Sequence, residues 1–233
     1  MRILISCVLL VILSLGLVFA LEQAPFGSNQ IDNADKPGRF YLNQGMEKTG
    51  AANVVTSVVV TYRGFDTLGE VTILFIAAIG LGAVFHSRKK VKRYEKEKQS
   101  ASLILQTGCR FLFPLIVLFG TYVFIHGHLS PGGGFQGGVI IASAFLLLFL
   151  GCEEKKIPMK SMNTVESLAG IIFVGIGLAG LYWGESFLEN FLPRGMDYML
   201  LSGGVIPIIY IAIGFKVGAE LAGIVAGLIE RNP

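Results

Sequence analysis

The sequence predicts an all-α integral membrane protein of about six transmembrane helices, and three observations predict it. Of its 233 residues, 53% are hydrophobic and 15% charged, where a soluble domain carries about 25% charged residues. The mean hydropathy is +0.66, and a chain this apolar lacks the polar surface to cover its own core in water. Apolar runs close to the roughly 20 residues that a helix needs to cross about 30 Å of hydrocarbon recur along its length. The same composition excludes a disordered chain, collagen and a coiled coil. Cys7, Cys109 and Cys152 lack disulfide or metal-ligand spacing. The formal charge of +3 is too small to indicate nucleic acid.

The expected spans are residues 3–21, 67–85, 103–125, 135–151, 164–187 and 198–229. The first begins after Arg2 and ends near Val18-Phe19-Ala20, so a secretory signal is the alternative. Its apolar run exceeds the roughly 7–15 residues of a signal core, which favours a retained span. The fourth is the weakest: its uninterrupted apolar part, 139–150, rises only about 18 Å. It must extend back through Gly137 and Gly138 or be shielded by partner helices. The sixth is too long, about 48 Å as a helix, so it tilts, kinks at Pro207 or emerges from the membrane.

Orientation follows from Lys and Arg, which collect on the cytoplasmic side. Arg88, Lys89, Lys90, Lys92, Arg93, Lys96 and Lys98 share one short loop, expected to be cytoplasmic. With Arg2, Lys155, Lys156, Lys160 and Arg231 they oppose a smaller group on the other side, Lys36, Arg39, Lys48, Arg63 and Arg194. Both termini are therefore expected in the cytoplasm, in a multi-pass protein of the cell membrane.

Between spans, residues 22–53 are polar, rich in Asn, Gly and Pro, and without periodicity, so they read as an external loop. The β-branched stretch 54–62 reads as a strand or as a surface-lying or re-entrant helix. Composition shifts at 95–102 and divides the chain into a two-span piece, 1–98, and a four-span piece, 99–233, as in a fusion of two small subunits.

Charges near a bilayer centre cost about 2.5–3.5 kcal/mol on insertion scales, so each needs a partner, a cavity or a function. Asp66 and Glu70 are four apart and share a face if helical. Asp66 reads either as a helix N-cap or as an ion ligand; Glu70, a turn deeper, reads as a site for Na⁺ or a proton. Lys216 and Glu220 are also four apart, among Gly214, Gly218 and Gly223, which permit close helix approach. They read as a structural ion pair or as a relay in which a desolvated lysine exchanges protons. Arg110 is expected to snorkel to headgroups.

The densest motif is His126-Gly127-His128-Leu129-Ser130-Pro131-Gly132-Gly133-Gly134-Phe135-Gln136-Gly137-Gly138. No third ligand accompanies the histidines, so no metal is expected. No Gly-Lys-Ser/Thr ending is present, so it is not a phosphate loop. Pro131 and the glycines imply irregular backbone at the ends of two spans, which lipid tolerates only against protein or a wet cavity. His126 and His128 then either pass protons there or sit at a glycine-packed helix hairpin. Asn163 and Glu166 have the spacing of a capping box. Trp183, Tyr182 and Tyr198 suit an aromatic belt, and Glu185, Glu189 and Asp197 make an acidic loop. Neither a catalytic triad nor a cofactor motif is visible, and the chain is expected to lack an active site of its own.

The four-span piece, with Gln106-Thr107-Gly108-Cys109-Arg110, the motif from His126 to Gly138, and Gly214-Phe215-Lys216-Val217-Gly218, resembles the B-type component of Mrp-type multisubunit Na⁺/H⁺ antiporters, the MnhB or MrpB type, which is F-subunit-like in membrane-bound hydrogenases. The two-span piece, with Thr49-Gly50-Ala51-Ala52-Asn53-Val54-Val55 and Tyr62-Arg63-Gly64-Phe65-Asp66-Thr67-Leu68-Gly69-Glu70, resembles the C-terminal end of MrpA, a piece that is the separate small MbhE-type component in membrane-bound hydrogenases. The resemblance implies a small, cofactor-free subunit of a module that translocates Na⁺ and H⁺, partnered by other Mrp-type subunits and, in a redox-driven host, by hydrogenase or related subunits. It implies that Asp66 and Glu70 belong to the ion path. It also implies that His126, His128, Pro131, Gly132, Gly133 and Phe135, within the Gly134, Gly137 and Gly138 motif, line that path. Lys216 and Glu220 fall on a helix the family also uses. The competing expectation is a structural subunit whose glycines pack helices while ions pass through larger partners.

Overall fold

The computed structural model describes residues 2–22, 37–87, 101–151 and 159–231. Residues 1–40 and 41–233 form two separate units. In the first, the apolar run becomes α1, Arg2–Glu22, so a helix spans the first expected run. The basic run 88–98, Lys155 and Lys156 fall outside the described residues.

The stretch expected as an external loop contains a helix instead, α2 (Pro37–Thr49). Its signals are at the ends and not in an apolar period. Proline suits the first helical position, and Gly50 follows the last residue with φ +72° while its N–H bonds back to the Met46 carbonyl at 2.8 Å. That is a left-handed cap which glycine adopts without strain.

The β-branched stretch 54–62 also becomes helical. Asn53 caps α3 (Val54–Thr56), accepting from the Val55 N–H at 3.0 Å, and the chain continues as a π-helix, Ser57–Tyr62. A π-helix displaces the usual carbonyl partners. Thr67 compensates by donating its hydroxyl to the Val59 carbonyl at 2.8 Å, which ties the π-helix to the helix that follows.

The long helices are α4 (Gly64–Ser87), α5 (Leu103–Ile125), α6 (Gly134–Gly151), α7 (Met159–Trp183) and α8 (Ile206–Arg231). Among the described residues there is no strand, and these five helices are long and apolar enough to cross a membrane. The third span begins at an N-cap, Ser102, whose side chain accepts from the Leu105 N–H. The fifth starts about a turn earlier than expected, because Met159 to Asn163 are helical despite their polarity. Asn163 is therefore inside the helix, and the expected capping box with Glu166 does not form. The sixth starts at Ile206 and not near 198. Pro207 stands in its first turn, where proline fits without a kink.

Helix α8 is the centre of the bundle, packed by α6 and α7 and, less extensively, by α4 and α5. The core includes Phe173 of α7, Leu188, and Ile206, Ile209, Ile213 and Val217 of α8. Lipid is as apolar as leucine, so association between such helices depends on close contact more than on burial. Glycine provides it. A Cβ at Gly137 would lie 2.6 Å from the Gly120 carbonyl of α5, and one at Gly138 would lie 2.9 Å from the Gly214 carbonyl of α8. The weak fourth span is thus held between α5 and α8, with its glycines at the contacts.

Candidate functional site

Lys216 and Glu220 lie near the middle of α8, at 5% and 2% exposure. Their i, i+4 spacing puts both on one face, and the ammonium donates to Glu220 Oε2 at 2.5 Å. A third charge arrives from α7: Glu166 Oε1 stands 3.9 Å from the Lys216 ammonium. From α4, the Phe75 ring faces the same ammonium at 5.3 Å from its centroid, an attractive cation–π arrangement. Gly170, a turn beyond Glu166, would place a Cβ 4.0 Å from Lys216 Cε, so the lysine stem crosses α7 where no side chain obstructs it.

The cluster holds two carboxylates against one ammonium, and Glu220 Oε1 is buried without a hydrogen-bond partner. Glu166 is the most accessible of the three, with a side chain 20% exposed. One turn before it, Asn163 lines an open hollow on α7 with Thr164, Ser167, Leu168 and Ile171. Glu166 is not among the residues the sequence marks for function. Its partner on α8 lies fifty residues away in sequence, and no local spacing announces the pairing.

Asp66 and Glu70 are elsewhere. Asp66 is the third residue of α4 and not its N-cap; it is exposed and pairs with Arg63, three residues earlier. Glu70 is exposed a turn further along the same helix, within the span Gly64–Val84. Both carboxylates look away from the bundle, and neither is among the ion pairs of Lys216. Arg110 is exposed on α5.

The two histidines part company. His126 caps α5, and its ring stacks on Tyr122 with centroids 4.4 Å apart. His128 is fully buried, and neither ring nitrogen makes a hydrogen bond. Burial pushes its pKa below the ordinary value, opposed by the nearby carbonyls of Met199, Leu200 and Ile125 and aided by His126. Both stand at the glycine-packed hairpin, His126 half-buried and His128 buried.

The hairpin 126–133 is also where the two halves of the sequence meet. Asn53 Nδ2 donates to the carbonyls of Gly127 and Ser130, at 2.9 and 3.0 Å, and its N–H donates to the His128 carbonyl at 3.0 Å. Thr56 donates to the Gly127 carbonyl at 2.7 Å and accepts from the Tyr210 hydroxyl of α8 at 2.8 Å. A Cβ on Gly127 would lie 2.8 Å from the Gly133 backbone and from the Tyr210 ring. Gly133 itself has φ +154°, and Gly134 leaves room for Ile213, 2.7 Å from where its Cβ would stand. Gly132 would press on the Val123 carbonyl at 2.7 Å. Phe135 packs against the core, while Pro131 is exposed.

A profile described as the domain related to the MnhB subunit of Na⁺/H⁺ antiporter matches residues 104–223, and the MbhE profile, for a component of MBH, matches residues 7–103. An uncharacterised protein of Methanocaldococcus jannaschii is 32% identical over 73% of this chain and 74% of its own length. The B-type component of the Na⁺/H⁺ antiporter of Bacillus subtilis is 40% identical over 36% of this chain, and the match spans 54% of that protein. Among solved structures, a chain of the membrane-bound sulfane sulfur reductase, an archaeal respiratory membrane complex, superposes with a TM-score of 0.79 at 45% identity over 98% of both chains. A chain of the Mrp complex from Dietzia sp. DQ12-45-1b superposes with a TM-score of 0.77 at 26% identity, over 99% of this chain and 26% of that one.

Proposed function

The chain belongs to the family of domains related to the MnhB subunit of Na⁺/H⁺ antiporters, and on that premise we propose that it is a non-catalytic membrane subunit of a Na⁺/H⁺ antiporter module that contributes side chains to the ion path. The observation that carries the contribution is the charged cluster at Lys216 and Glu220, buried at mid-span in the central helix. Packing alone does not call for such a cluster, since a buried ion pair is weak evidence for stability and well-packed apolar residues of similar volume often replace one without loss. Asp66 and Glu70 face outward from α4, where a neighbouring subunit completes their surroundings. His126 and His128 stand at the hairpin end of the same bundle. On the orientation given by the basic loop, that hairpin is external, both termini are cytoplasmic, and the two pieces 1–98 and 99–233 correspond to two fused subunits.

The test is Na⁺-dependent proton movement in vesicles containing the whole complex. A Glu70→Gln variant that assembles normally is expected to lose at least about tenfold in rate. A wild-type rate would remove Glu70 from the path.

The host complex is proposed to be of the redox-driven respiratory kind. The support is the end-to-end match, 98% of both chains, to a chain of such a complex, against a match to about a quarter of a longer Mrp chain. Purification in mild detergent tests it: iron–sulfur subunits are expected to accompany the chain. Recovery of antiporter subunits alone would indicate a stand-alone antiporter.

A further inference from the structure

We propose that Glu166, Lys216 and Glu220 form a one-proton exchange site, in which Glu166 takes up and releases the proton and the Lys216 ammonium follows the negative charge between the two carboxylates. The proposal deepens the reading of the chain as part of an ion path and rests on it only for the purpose the proton serves.

Three observations carry it. The first is charge. With Lys216 and Glu220 in contact at 2.5 Å, their charges cancel, and Glu166 is the surplus. An uncompensated charge against a low-dielectric interior is costly, and binding a proton removes the cost. The second is the spare acceptor. Glu220 Oε1 is buried with no partner, so the cluster has a hydrogen-bond acceptor in reserve and is not a closed, fully satisfied pair. The third is geometry. Lys216 has one carboxylate in contact and the other 3.9 Å away, on a flexible four-carbon stem that passes over Gly170 without meeting a side chain.

These features order the steps. With Glu166 protonated, its O–H is neutral and Lys216 pairs with Glu220. When Glu166, whose side chain is 20% exposed, releases its proton to the outside of α7, the ammonium is drawn between two carboxylates and neutralises part of each. The lysine keeps its protons throughout, and the one proton that leaves comes from the Glu166 carboxyl. Among the described residues, the charges acting on Glu166 are Glu220 and Lys216; α4 presents the uncharged Phe75 to the site.

The experiment is infrared difference spectroscopy of the purified whole complex between acidic and alkaline buffer, in wild type, Glu166→Gln, Glu166→Asp and Lys216→Gln. The expected result is a carboxylic-acid band in wild type that disappears on alkalinisation, is absent from Glu166→Gln and returns in Glu166→Asp. In Lys216→Gln the band should persist into buffer about 1–3 pH units more alkaline, because the opposing charge that favours the carboxylate is gone. An unchanged band in Glu166→Gln, or in an assembled Lys216→Gln, overturns the proposal. Failure of the antiporter reading looks different: the band behaves as stated while wild-type vesicles show no Na⁺-coupled proton movement.

Discussion

Helices α4 and α8 are almost equally apolar over their spans, with mean hydropathies of 2.0 and 1.8, yet 11% of an apolar 18-residue stretch of the first is buried within the chain and 56% of the corresponding stretch of the second. Each carries a carboxylate within its apolar span. In α8, Glu220 is answered by Lys216 one turn earlier, which also stands 3.9 Å from Glu166 of α7. In α4, Glu70 points outward. The middle glycines divide in the same way: Gly214 would drive a Cβ into the Phe124 ring at 2.5 Å, whereas Gly69, Gly80 and Gly82 have nothing within 4 Å; at the helix ends the order reverses, with Gly64 of α4 against Leu188 at 3.1 Å and Gly223 and Gly227 of α8 open. Hydropathy measures what a helix costs to expose to water, and both helices avoid water. It does not register whether the neighbour is lipid, a partner subunit or the chain itself. A central helix and a peripheral one therefore look alike until contacts are known.

Substitutions that treat the two helices alike should have unlike results. The largest effect is expected from size. Gly214→Leu on α8 forces a side chain into the Phe124 ring, and yield of assembled complex in detergent should fall at least about tenfold, while Gly80→Leu on α4 leaves it near wild type. Equal yields would remove the contrast. Charge comes next. Lys216→Met leaves Glu220 buried and unpaired, a loss of about 3–5 kcal/mol in stability, and should depress assembly. Glu70→Gln should preserve assembly and reduce transport.

Smaller effects probe how the two halves join. Asn53→Ala removes two side-chain hydrogen bonds to the hairpin carbonyls, a destabilisation of about 1–3 kcal/mol, readable as a lower melting temperature of the purified complex. The smallest is pH dependence at the hairpin. His128 has its folded pKa below the unfolded value of 6.5, so the unfolded chain binds more protons as pH falls through that value. Stability is full above about pH 6.5 and declines on acidification, by at most about 1.4 kcal/mol per pH unit. His128→Gln should flatten that decline in a thermal melt at about pH 7.5 and 5.5, either side of the unfolded value; an equal decline would exonerate the histidine.

How much of this is legible from residues alone depends on the range of the interaction. The spans of α5 and α6 emerge almost to the residue, since apolar runs and the breaks at Ser102, Pro131 and Gly151 are local. The start of α7 does not, because Met159 to Asn163 join the helix through its continuation and not through an apolar pattern. Helix α2 is hidden for the same reason: its signals, Pro37 and Gly50, sit at the ends of a segment with no apolar period. The β-branched residues 54–62 are held as a helix by bonds that Asn53, Thr56 and Thr67 make with partners up to 154 residues away. The pairing of Lys216 with Glu220 follows from spacing. The position of Glu166 beside them follows from how α7 docks on α8, which no spacing encodes. His126 and His128, two apart in sequence, differ in burial, one half-buried and one fully buried, which their spacing does not encode.

The central claim is that the charges on α8 serve transport and are not needed for packing. The double variant Lys216→Met with Glu220→Met tests it most directly, because removing both partners leaves no buried charge from the pair and spares assembly. Reconstituted into vesicles at wild-type content, this complex is predicted to show at least about a tenfold loss of Na⁺-dependent proton movement. Transport at the wild-type rate would contradict the claim and leave the cluster a packing feature.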